Sequence, residues 1–268
     1  MNRKTRESQT PLPAIIRALR SAPREKAPAS LLPAVLRRTG LSDVYWRLDS
    51  PIGPLFIAHT RGGIAKIARA KSAAAFRREY ERERGRPIRP AASHPPAAVR
   101  SLIGSLTRGD RAKLRFDLSG LSEFERAVLL KALEIPTGEV RPYSWIAREI
   151  GRPEAVRATG SALAKNPVPL LIPCHRVVRS DGHIGQYSLG GARVKRTLLD
   201  IEGAEPDTLE KLASSGVRYL GNERERYYCY PTCGGTRSLV LANHVTFASG
   251  REAEAAGYHP CETCRPAA

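Results

Sequence analysis

The chain has 268 residues, 41% of them hydrophobic, which is enough to bury real cores and excludes wholesale disorder. Lys and Arg number 44 against 26 Asp and Glu, a formal charge of +18 that favours a polyanionic partner, nucleic acid being the commonest. No apolar run approaches the roughly 20 residues that span a bilayer, and no n-region precedes an h-region, so an intracellular protein without a membrane partner is expected.

Residues 1–40 are rich in Arg, Ala and Pro, and prolines at 11, 13, 23, 28 and 33 interrupt any continuous helix, which predicts a basic flexible arm. Three strand-like runs follow, VYWRLD, PLFIAH and GIAKIAR. Turn signals at Pro51–Gly53 and Arg61–Gly63 separate them, as in an antiparallel meander. SAAAFRREYERERG and, after a Pro-rich loop, AAVRSLIGSL predict two helices; KLRFDLSG predicts one more strand, ending at a boundary near Ser119.

SEFERAVLLKALEIP opens with a capping box, Ser122 to Glu125, and predicts a helix that stops before Pro136. SWIAREIG predicts a short helix ended by Gly151, and PEAVRATGSALAKN another, with Pro153 in its first turn. Two helices around a Gly-containing turn make a helix-turn-helix pattern, whose second helix can enter a DNA groove. Many helical hairpins share the pattern; the basic charge gives it weight here. Arg157, early in the second helix, is either a side chain that reaches the base stack or an ordinary solvated charge.

Five cysteines stand at 174, 229, 233, 261 and 264. An odd number without a secretory signal argues against a disulfide framework. Cys229 and Cys233 form C-x3-C, and 28 positions after Cys233 stand Cys261 and Cys264 as C-x2-C, the spacing of a tetrahedral zinc site. The alternatives are four buried thiols, or His244 or His259 in place of one sulfur. Cys174, alone in IPCHRV beside His175, is then a nucleophile candidate. In a regular strand the two side chains would point to opposite faces.

Residues 138–204, from GEVRPY through NPVPLLIPCHRVV to DIEGA, closely resemble the O6-alkylguanine-DNA alkyltransferase family and carry its NPxPxxIPCHRV signature without a gap. Residues 43–118 resemble that family's N-terminal domain. The tail, from YLGNERERYYCYPTC to HPCETCRP, is similar to the zinc-binding module of Ada-like alkyltransferases, which usually stands at the N-terminus. The resemblance implies a mixed α/β (α+β) protein. Its parts would be an arm over 1–40, an RNase H-like domain over 41–118 and a winged helix-turn-helix-like DNA-binding and catalytic domain over 119–205. A linker over 206–218 and a zinc module over 219–268 would complete it.

The activity implied is DNA repair by direct, stoichiometric transfer of an alkyl group from O6-alkylguanine, and from O4-alkylthymine, to Cys174 after base flipping. That is the methylated-DNA–protein-cysteine S-methyltransferase reaction, run once per molecule. The partner would be double-stranded DNA containing alkylated guanine. A monomer is implied, cytoplasmic and associated with a bacterial nucleoid, with zinc in the tail and no organic cofactor. By family position, His175 and Glu202 activate Cys174 through a water, Tyr143 serves the leaving purine, and Asn166 ties helix to active-site loop. Arg157 fills the space left by the flipped base; Ser161, Arg176, Tyr187 and Ser188 are the remaining DNA-facing candidates.

In the tail, Cys229 has the place of the cysteine that, in Ada-like modules, both binds zinc and accepts a methyl group from phosphotriesters. A four-thiolate zinc centre carries net −2, which would leave such a thiolate electron-rich. Yet the family's C-R-P-S-C reads CYPTC here, its threonine-rich approach reads RERE and its basic run reads GGTR, which removes phosphate contacts. Zinc binding is therefore expected more firmly than phosphotriester repair, in a module whose folding depends on its metal and which separates from the PCHRV domain. Two rival readings are a lesion-binding protein without transfer, opposed by PCHRV, and a methylation-sensing regulator, for which no further DNA-binding domain is seen.

Overall fold

The computed structural model describes residues 28, 31, 35, 36, 39, 42–105, 114–237 and 244–266. The chain divides into two units, Met1–Thr39 and Gly40–Ala268. In the first, Leu31, Val35 and Leu36 are helical, and the basic arm expected over 1–40 lies almost wholly outside the described residues.

The second unit begins with a four-stranded sheet of order β3-β2-β1-β4, built from β1 (Asp43–Leu48), β2 (Leu55–Thr60), β3 (Gly63–Ala68) and β4 (Ile88–Pro90). The first three strands form the expected antiparallel meander, with Val44 opposite His59 and Leu48 opposite Leu55. β4 was not expected, because its proline-flanked RPIRP reads as loop. It pairs with β1 in parallel at the sheet edge, where a proline's missing donor is tolerated.

β2 is buried on both sides. Leu55 and Ile57 face the main core, while Phe56 and Ala58 face a second cluster with Tyr45, Phe76, Tyr80 and Ile88. The alternation of side chains along a strand produces this split. Helix α1 (Ala73–Arg84) supplies Phe76 and Tyr80; Ser72 caps it by accepting from the Ala75 N–H, and Gly85 ends it in the left-handed region. Helix α2 (Ala97–Ser105) follows. The strand expected in KLRFDLSG is a single bridge between Phe116 and Ile64 among the described residues.

Helix α3 (Glu123–Leu133) starts with the expected capping box, Ser122 and Glu125 each bonding the other's backbone N–H. A two-residue strand β5 (Arg141–Pro142) leads into α4 (Tyr143–Glu149), and α5 (Val156–Ala164) packs on both α3 and α4. α5 begins three residues later than Pro153, because Ala155 N–H closes a turn on Arg152 O first. After α5 the chain runs through Asn166–Pro173 into a 3-10 turn, Cys174–Arg176, then β6 (Val177–Val178), which pairs in parallel with β5.

Helices α6 (Gly191–Ile201) and α7 (Pro206–Ser214) come next; α7 occupies the stretch expected as a linker and packs on α6. A second four-stranded sheet, order β10-β8-β7-β9, closes the chain. It comprises β7 (Tyr219–Asn222), β8 (Tyr227–Cys229), β9 (His244–Phe247) and β10 (His259–Pro260), with α8 (Gly234–Arg237) and α9 (Gly250–Ala255) between strands. Among the described residues, no helix is long and apolar enough to cross a membrane.

One core joins these layers. Leu55, Ile57, Ile64 and Ile67 from the first sheet meet Leu129, Trp145, Leu163, Leu171 and Ile172, and the same cluster reaches Cys229, Cys233 and Cys264. The loop carrying Cys174 therefore lies between packed layers rather than on a free surface.

Gly63 fixes the junction of β3 with the Arg115 backbone. Its φ is 129°, and a Cβ there would lie 2.2 Å from Arg115 O. Gly63→Ala should cost at least about 2 kcal/mol by urea unfolding, because backbone on both sides must move.

Candidate functional site

Asn166 organises the first cluster. Its Nδ2 donates to Ile172 O at 2.9 Å and to Cys174 Sγ at 3.0 Å, and its Oδ1 accepts from Val168 N–H. One amide thus folds the NPVP turn back onto the cysteine. Cys174 itself is buried, and burial pushes its thiol up; the Asn166 hydrogen bond and the Lys195 charge act against that rise. The resting group is a thiol, so nucleophilic chemistry needs a base.

The neighbouring turn provides one. Because Cys174–Arg176 is a 3-10 turn and not a strand, the opposite-face geometry of a regular strand does not apply. His175 Nε2 lies 3.1 Å from Glu202 Oε1, at the end of α6. Burial raises the Glu202 carboxyl, but hydrogen bonds from His175 and Arg176 outweigh it and hold the group at about 2. That carboxylate orients the imidazole beside the Cys174 turn.

Arg176 does not face outward. It is 2% exposed, and its guanidinium donates to both Glu202 oxygens, to Ile135 O and to Thr137 Oγ1. Its candidacy for DNA contact is corrected: with these partners it is an internal strut.

Tyr143, Gly160, Leu163, Ala164, Cys174, Gln186, Tyr187 and Ser188 line a cavity of about 360 Å³, within the small-molecule range. Burial and the neighbouring Cys174 raise the Tyr143 phenol, keeping it a donor. Burial also drives Tyr187 well up, and its ring stands edge-on to His175. Gly160 keeps the wall thin: a Cβ there would sit 3.9 Å from the Tyr143 ring. On the outer side of the same helix, Arg157 and Ser161 are exposed, while Thr159, Ala162 and Leu163 are buried.

Lys195 escaped the sequence reading. It is 0% exposed, donates to Val177 O and, at 2.7 Å, to Ile184 O, and burial lowers it to about 8. It spans β6 and the loop before Tyr187. A signal did exist, since Lys195 falls at helical spacing with Leu198 and Leu199 on the buried face of α6.

A second cluster lies in the tail. The sulfurs of Cys229, Cys233, Cys261 and Cys264 are all within 4.8 Å of one another. Zinc bonds of about 2.3 Å place tetrahedral sulfurs roughly 3.8 Å apart, so the set fits with a small contraction. Hydrogen bonds among the sulfurs push Cys233 down and Cys229 up, so the cluster shares its protons unevenly. Such a set exchanges protons for a cation. His259 is exposed and outside the cluster. Cys229, Cys233 and Cys264 are buried, and Cys261 is partly exposed.

The family model described as 6-O-methylguanine DNA methyltransferase, DNA binding domain, matches residues 123–204. The metal binding domain of Ada matches residues 211–267. A methylated-DNA–protein-cysteine methyltransferase of Mycobacterium bovis is 36% identical over 166 residues, 59% of this chain and 91% of that protein. The chain belongs to the methylated-DNA–protein-cysteine methyltransferase family. A relative of the same name from Methanothermobacter thermautotrophicus is 42% identical over 117 residues, 41% of this chain; the chain spans 65% of that protein, just under two thirds. A solved structure, Mycobacterium tuberculosis OGT in complex with DNA, aligns with a TM-score of 0.50 and 32% identity, over 62% of this chain and 99% of that one. The mixed α/β fold agrees with it, and zinc is the cofactor of the four-cysteine centre.

Glu202 has a measurable signature. Its carboxyl stands at about 2 in the folded chain against 4.5 for the free group, so the folded state binds fewer protons between those values. Its contribution is complete above about pH 4.5 and is lost as pH falls through about 2. Glu202→Gln should lower stability at pH 7 by about 3 kcal/mol and flatten that part of the slope, read by urea unfolding across pH 2–7.

Proposed function

We propose that the protein repairs DNA by moving the alkyl group of O6-alkylguanine onto Cys174. The observation that carries this reading is the cysteine itself: a buried thiol held by Asn166 on the wall of a 360 Å³ cavity, beside a histidine paired with a buried carboxylate. DNA is the proposed partner, with the protein acting as an intracellular monomer on duplexes bearing alkylated guanine. Exposed Arg157 and Ser161 on α5 face the duplex in this reading. The finer divisions go with it: an RNase H-like unit over 41–118, a winged helix-turn-helix-like unit over 119–205, a connector over 206–218 and a zinc module over 219–268.

The steps follow from the residues. Arg157 takes the place of the extruded base, which enters the cavity between Tyr143 and Tyr187. His175 takes the thiol proton through a water, and Glu202 stabilises the imidazolium. The sulfur forms its bond to the alkyl carbon as the bond from that carbon to O6 breaks, and the electron pair passes to the purine. Tyr143, kept protonated by burial, donates to the charge developing there. No group in the cavity returns the thioether to a thiol, so each chain reacts once. Bound zinc cross-links the tail, and no step of the transfer passes through it.

Cys174→Ala should abolish transfer of labelled methyl from O6-methylguanine DNA while duplex binding survives, and the wild type should take up no more than one methyl at this site. Several turnovers per chain would sink the single-use mechanism. Arg157→Ala should slow repair of duplex DNA about tenfold or more and repair of free O6-benzylguanine less than about twofold, because only the duplex demands extrusion. Equal losses on both substrates would assign Arg157 to the pocket or to folding.

A further inference from the structure

The sequence treats the zinc tail as separable, yet two of its four ligand loops grip one segment of the alkyl-acceptor domain. Thr232, next to Cys233, accepts at 2.8 Å from Val140 N–H. Gly234 N–H, on the other side of Cys233, donates at 3.0 Å to Glu139 Oε1. At the fourth ligand, Cys264 O accepts at 2.9 Å from Trp145 Nε1, and the next residue, Arg265, pairs with Glu149 and accepts from Arg148. Buried Arg141 pairs with Glu139 and lies against the rings of Trp145 and Tyr230, one from each side of the junction.

The gripped segment is the one that shapes the pocket. Residues 139–149 contain β5, whose partner β6 directly follows the Cys174 turn, and α4, whose first residue is the pocket-lining Tyr143. α4 has no side-chain N-cap and only seven residues, so its placement depends on tertiary contacts. The junction is dry and polar at once: Val140 and Arg141 are buried, and Trp145, Tyr230, Cys233 and Cys264 share one core.

We propose that the four-cysteine zinc centre is a positioning element of the alkyl-acceptor pocket, acting through Thr232, Trp145 and Arg141 on Tyr143 and strand β5. The idea rests on the alkyltransferase reading. With zinc bound, the loops at Cys233 and Cys264 have fixed separation and hold the segment at both ends. Without it no bond holds the four sulfurs together, the loops at Cys233 and Cys264 are free to part, and Tyr143 loses its fixed relation to Cys174. Misplacement by about 1 Å in a reacting pair costs up to roughly a hundredfold in rate.

The test uses the full chain in a Trp46→Phe background, which leaves Trp145 as the sole tryptophan of the original two. The substrate is free O6-benzylguanine, so loss of DNA docking cannot enter. Removing zinc with a chelator should slow benzyl transfer about tenfold to a hundredfold and change Trp145 emission, with both restored by added zinc. Because each chain reacts once, the end point counts folded chains and the rate reports the pocket. Positioning lowers the rate at an end point still near one per chain; simple unfolding lowers the end point alone and would overturn the proposal. An unchanged rate in the stripped chain overturns it as well. Thr232→Val and Trp145→Phe keep all four cysteines. At one zinc per chain each should slow transfer about threefold to tenfold, and wild-type rates in both would refute the coupling. No transfer by the zinc-loaded wild type would overturn the alkyltransferase reading instead.

Discussion

The site depends on one carboxylate. Glu202 sits at the end of α6, takes two bonds from Arg176 and stands 3.1 Å from His175, all three side chains being essentially dry. Burying three ionisable groups is costly, and only near-complete pairing offsets the desolvation. Arg176 meets that demand by also bonding Ile135 O and Thr137. One guanidinium therefore joins the end of α3, the Cys174 turn and the end of α6. Removing either partner would leave a buried charge uncompensated, which typically costs 3–5 kcal/mol. The same strut explains why the turn is 3-10 and not extended: an extended chain would carry Arg176 away from Glu202.

Around that strut the site keeps charge low until reaction. Burial pushes the Cys174 thiol up and the Lys195 ammonium down to about 8, each opposing its own charged form. A negative sulfur would stabilise the cation and be stabilised by it, so the two shifts relax together when the thiol loses its proton. Lys195 also binds Val177 O and Ile184 O, which places this response between the strand after Cys174 and the loop before Tyr187. One side chain thus ties the strand after Cys174 to the loop before Tyr187.

Different parts of this were legible for different reasons. The meander, the capped α3 and the pair α4–α5 follow local rules of period, cap and turn, and the structure has them. The four cysteines announce a metal centre through spacing alone. Cys174, Asn166, Tyr143 and Glu202 spread over sixty positions, and only the family resemblance joined them; no local signal could. Arg176 shows the limit of a charged residue read in isolation, because burial beside Glu202 depends on a fold that no window of sequence encodes. β4 was hidden by its prolines, and α7 by a stretch that looked like a connector although its apolar Leu209 and Ala213 bury one face.

The tail shows how domain and module can share a core. Its private cluster is small, chiefly Tyr228, Phe247, Ala253 and Tyr258. Tyr230, Cys229, Cys233 and Cys264 instead pack with Trp145 in the main core that also holds Ile57, Leu129 and Ile172. A module of some fifty residues rarely buries enough surface to fold alone, and metal is the usual remedy. Here two remedies operate together, the metal and the borrowed core. The ligands on the shared side are closed to solvent, and only Cys261 retains exposure. The contacts through Thr232, Glu139 and Trp145 tie this four-cysteine centre to the segment that carries β5 and α4.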